Sequence, residues 1–71
     1  MDIQYVVDTF LKATGLYPQE TDIAKLAWYA HVADEEEMMD VIEDMAQHYD
    51  DPETAEVGFI ILWDYLAKTK S

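Results

Sequence analysis

The chain has no cysteine, no arginine and one serine, the terminal Ser71. Its structural punctuation is limited to Gly15, Pro18, Pro52 and Gly58. Without cysteine there is no disulfide framework and no thiolate metal site. With two separated glycines there is no phosphate-cradling loop, and with no internal serine there is no Gly-x-Ser-x-Gly nucleophile elbow. No apolar run approaches the ~18 residues of a membrane span, and the first residues show neither a basic region nor a cleavage site. A soluble intracellular, cytoplasmic domain is the expectation.

What is present is acid. Sixteen Asp and Glu face four lysines across 71 residues, a formal net charge of −12. Apolar residues still make up 51% of the chain, too many for a disordered acidic tail. Surface scaling for 8.2 kDa gives ~4,500 Å² folded against ~11,900 Å² unfolded, so roughly 62% is buried. One domain fits, residues 1–71, and a deep substrate cleft would consume much of its interior. A charge of −12 repels nucleic acid and anionic membranes, so a charge-steered partner is basic protein.

Apolar spacing predicts an all-α fold, a compact bundle of about four short helices. Ile3, Val6, Val7, Phe10 and Leu11 follow the i, i+3, i+4 rule, and Gly15 falls where a left-handed residue ends a helix. Pro18 disfavours helix at Tyr17. Thr21 is the expected N-cap of the second helix, whose stripe is Ile23, Leu26, Ala27 and Ala30. Asp34 caps a third, with Glu35, Glu36 and Glu37 in a first turn that favours acids. Met38, Val41, Ile42, Met45 and Tyr49 line its apolar face. The break between these two rests on Asp34 alone, so one kinked helix is the alternative. Asp51-Pro52 reads as N-cap and first helical residue. Ala55, Phe59, Leu62, Trp63 and Leu66 then share a face, with Lys68 and Lys70 complementing the dipole at the far end. Val57–Trp63 has the length of a buried strand but no partner strand, and is assigned to helix.

The acids of the third helix are not scattered. With Met38 at zero, Glu36, Glu37, Asp40, Glu43 and Asp44 fall between about 140° and 260° around the axis. A solvated face is the plain explanation. Against it, like charges at i, i+4 destabilise a helix by ~0.2–0.5 kcal/mol per pair. Solubility of a small domain needs a net charge of only ~2–8, and no lysine on this helix relieves the row. These five residues, with Tyr49 as a short-range anchor, are the candidate partner-binding set.

The second surplus is apolar. Trp28 and Trp63 are expected to help fill so small a core, and His31 to be a partly buried structural residue. Trp28 and Val32 nevertheless fall opposite the second helix's stripe, and Val57, Ile60 and Ile61 fall off the fourth's. If one core does not cover them, Trp28, Val32, Val57, Ile60 and Ile61 become self-association residues of a homodimer.

Other chemistry finds no support. Asp50-Asp51-Pro52-Glu53 lacks the alternation and central glycine of a calcium loop. Asp44 and His48 are i, i+4 and Glu43 is adjacent, but no second helix offers a matching metal motif, and the dipole explains His48. An acyl-carrier protein is also small, acidic and four-helical, but it needs an internal Asp-Ser-Leu attachment site. No enzyme activity, cofactor or metal is expected.

In charge, size and helicity the chain resembles the broad group of small acidic inhibitor proteins, which includes phage-encoded DNA mimics and nuclease immunity proteins. The resemblance rests on no motif, so no functional residue is carried over from it. It implies a binding module that blocks or modulates a basic protein surface, such as that of a nucleic-acid-binding protein or nuclease. The competing reading is a structural homodimer whose acid serves solubility.

Overall fold

The computed structural model describes residues 2–69 and contains four helices: α1 (Ile3–Thr14), α2 (Glu20–Val32), α3 (Glu35–Ala46) and α4 (Pro52–Thr69). No strand occurs among the described residues, and Val57–Trp63 is helical. Lys70, expected near the end of the last helix, lies outside the described residues. The helix expectation for the whole bundle is met, and α2 and α3 are separate helices.

The breaks follow from local chemistry. Gly15 closes α1 with φ 73°, its N–H donating to the Leu11 carbonyl at 2.7 Å. A side chain at this left-handed position would be strained. Asp34 caps α3, its Oδ1 accepting from the Glu37 N–H at 2.8 Å. Asp51 caps α4 with both oxygens: Oδ1 accepts from the Thr54 N–H at 3.3 Å and Oδ2 from the Thr54 hydroxyl at 2.7 Å. Asp2 caps α1 with one oxygen, its Oδ1 accepting from the Tyr5 N–H at 3.3 Å.

The N-cap of α2 corrects the sequence expectation. The helix begins at Glu20 with Gln19, not Thr21, at the cap, and no side chain of its own caps it. The function is supplied from 30 residues away. The Gln19 N–H donates to the Tyr49 hydroxyl at 3.0 Å, and that hydroxyl donates to Asp22 Oδ2 at 2.8 Å. In a capping box, the third helical residue reaches back to the N-cap N–H. Here Asp22 holds that position and the tyrosine hydroxyl is inserted between the two partners.

α4 is the hub and packs against α1, α2 and α3. The core comprises Val6 and Phe10 from α1, Ile23, Leu26 and Ala30 from α2, Met38, Ile42, Met45 and Ala46 from α3, and Ala55, Phe59, Leu62 and Leu66 from α4. Phe10 and Phe59 stand 4.8 Å apart, and Tyr49 packs edge-on against Phe59 at 5.5 Å. Gly58 explains itself here. A Cβ at this position would lie 2.5 Å from Thr14 Cγ2 and 2.7 Å from Phe10 Cε2, so its absence is what lets α1 and α4 approach. Three placements differ from expectation. Ile3 ends 48% exposed, Trp28 is 60% exposed rather than part of the core, and His31 is exposed. Trp63 is half-buried against the core. Trp28 faces out because Ile23, Leu26 and Ala30 already direct the opposite side of α2 inward, leaving the indole about 200° from Leu26.

Candidate protein-interaction surface

α3 holds its acids outward because Met38, Ile42, Met45 and Ala46 are pinned into the core. Glu36, Glu37, Asp40, Glu43 and Asp44 are all exposed. At i, i+3 and i+4 spacing their Cβ atoms stand ~5–6 Å from their neighbours. None of the five carboxylates has a hydrogen bond or ion pair among the described residues. The single ion pair there is Lys68 Nζ to Asp64 Oδ2 at 3.0 Å, on α4.

The distribution along α3 is informative. Glu35, Glu36 and Glu37 at its start complement the helix dipole, but Glu43 and Asp44 lie in its last turn, where no basic residue is present. Negative charge near a C-terminus opposes the dipole, by ~0.3–1 kcal/mol for an exposed group. The acids of the second half therefore work against the helix that carries them. Two concavities open beside them. Asp34, Glu36, Glu37 and Asp40 line an open hollow of about 260 Å³ at the start of α3. Glu37, Asp40 and Asp44 also form one wall of a groove of about 470 Å³ between α2 and α3, completed by Val41, Lys25 and Tyr29.

Tyr49 is placed apart from the five acids. Its ring packs with Phe10 and Phe59 and its hydroxyl bridges Gln19 and Asp22. Burial pushes the Tyr49 hydroxyl up to about 12; the Gln19 N–H counteracts this and the Asp22 carboxylate adds to it. It belongs to the structural framework rather than to the acidic face.

The five apolar candidates are all exposed. Val57, Ile60 and Ile61 share the outward side of α4 with Glu53, Asp64 and Lys68, and Trp28 and Val32 lie on the outward side of α2. The sequence reading missed Lys25 and Tyr29 as surface-forming residues; the signal was their i, i+4 spacing on α2, which places them on one side of the helix.

No group of three or more His, Asp or Glu side chains among the described residues is arranged to hold a metal ion. No helix of the described residues is long and apolar enough to cross a membrane. Comparison with family models, curated proteins and solved structures gives no match.

Proposed function

We propose that this protein is a non-enzymatic binding module that docks its acidic α3 face on a basic surface of another protein and blocks or modulates it. The observation that carries the reading is the row of five exposed, unpartnered carboxylates, two of them set where they oppose their own helix dipole. Surfaces that bind nucleic acid are rich in Lys and Arg, and they attract carboxylates for the same reason they attract phosphates. A nucleic-acid-binding protein or nuclease is therefore the proposed class of partner. The proposed compartment is the cytoplasm. Affinity capture from the source cell tests this, with the recovered protein then titrated in purified form. A basic partner whose binding weakens with salt supports the reading.

A second reading is favoured by one observation, the exposed apolar side of α4 formed by Val57, Ile60 and Ile61. In that reading the chain is an assembly protein that self-associates through these residues or through Trp28 and Val32. Light scattering distinguishes it: a dimer at micromolar concentration, with capture recovering only the protein itself, favours assembly over docking.

A further inference from the structure

The groove between α2 and α3 differs from the rest of the acidic surface in having an apolar floor. Tyr29 and Val41 are half-buried and pack against the core, so their inward faces are fixed. Trp28 stands edge-on to Tyr29 with ring centroids 5.0 Å apart, and it is largely solvent-exposed. An exposed tryptophan braced by a tyrosine, beside an open groove, is a contact surface of the kind enriched at protein interfaces. Glu37, Asp40 and Asp44 form the facing wall, and Lys25 is the one cation on the lining.

We infer that this groove is the specific docking position on the acidic face, and that its occupant is an arginine side chain of the partner protein. This rests on the docking reading above and adds to it which group the partner must bring. The chemistry selects arginine in three ways. An aliphatic stem covers Val41, a planar guanidinium stacks on the Tyr29 ring, and its fork of N–H donors meets the Asp40 and Asp44 carboxylates. A second copy of this chain is disfavoured as occupant, because it brings −12 against −12 and has no arginine. Lysine satisfies the charge but neither stacks nor forks, so the groove discriminates between cations of equal charge. Lys25, on the α2 side of the lining, is exposed and has no ion pair among the described residues, so it does not neutralise the acidic wall.

Two short acetylated peptides of equal charge, one of Ala and Arg and one of Ala and Lys, test this by nuclear magnetic resonance titration at low salt. The expected result is that the arginine peptide binds roughly two- to five-fold tighter, and shifts the amides of Tyr29 and Val41 more than those of Glu53 and Glu56. Tyr29→Leu removes the preference without altering charge. Should that variant lose its fold, Trp28→Ala at an exposed position serves instead and reduces the preference in the same direction. Equal affinity for both peptides, with shifts spread over every acidic segment, overturns the groove while leaving charge-driven docking intact. If neither peptide binds, both the groove and the docking reading are overturned.

Discussion

Replacing Tyr49 by Phe removes one hydroxyl and leaves the Phe10–Tyr49–Phe59 ring packing in place. Two hydrogen bonds are lost, at 3.0 Å from the Gln19 N–H and at 2.8 Å to Asp22 Oδ2. A neutral hydrogen bond contributes about 0.5–1.5 kcal/mol and one to a charged group about 1.5–3 kcal/mol. Both sit where water can reach part of the site, so the lower end of the combined range applies, roughly 2 kcal/mol. For a chain of this size that lowers Tm by about 8–16 °C. The pH dependence gives a second, independent signature. The hydroxyl's pKa is raised from 10.0 to about 12 in the folded protein. The folded state therefore holds the proton more tightly than the unfolded state. The resulting stabilisation is fully present below pH 10 and is lost as pH rises from there through about 12. Discounted for the exposed part of the ring, it amounts to about 1–2 kcal/mol. Thermal melts of the wild type and Tyr49→Phe across this range should converge at the alkaline end. Asp22→Asn combined with Tyr49→Phe should fall short of additivity, since both remove the same bridge. A Tyr49→Phe protein within about 0.5 kcal/mol of wild type at neutral pH, with an unchanged alkaline limb, would refute the bridged cap.

Gly58→Ala gains helix propensity but drives a methyl into Thr14 and Phe10; calorimetry should show a net loss of about 1–3 kcal/mol, whereas a gain would mean that α1 and α4 can separate at little cost. Asp51→Ala removes both bonds to Thr54 and should lower Tm by a few degrees. Those same bonds hold the Asp51 carboxyl below its usual range. The cap's contribution is therefore lost as pH falls through the folded-state pKa, and acid titration of the variant should lack that component. Raising salt from low to ~0.15 M should increase Tm by a few degrees, because the acids repel one another within a Debye length of ~10 Å at 0.1 M and only one exposed ion pair among the described residues is weakened. A falling Tm would show that specific pairs outweigh the net repulsion.

The parts of the fold that were legible in sequence are those set by neighbouring residues. Gly15, Asp34 and Asp51-Pro52 act within one turn of the breaks they define, and the Met38, Ile42, Met45 stripe follows from helical period alone. The cap of α2 was not legible, because its hydroxyl arrives from Tyr49 and nothing near Gln19 announces it. Gly58 was equally silent: a glycine inside a helix acquires its meaning only when Phe10 and Thr14 are brought beside it. Trp28 is exposed although its volume favours the core, because smaller residues on the other side of α2 fill that core. Pro18, read as a helix breaker, is also buried, a packing role that connector chemistry does not predict. On the candidate site, the five acids were legible from their angular positions. The α2–α3 groove was not, because it depends on how two helices lie side by side.

The central proposal, that α3 is a docking face, is tested most directly by the salt dependence of partner binding in the double variant Asp40→Lys, Glu43→Lys. Both residues are exposed and opposite the buried stripe, so the helices should remain intact by circular dichroism. Isothermal titration of the captured basic partner at several salt concentrations should show affinity reduced on the order of tenfold and a flatter salt slope than wild type. A folded double variant that binds with unchanged affinity and unchanged slope would contradict the proposal and leave α3 as a solvated face.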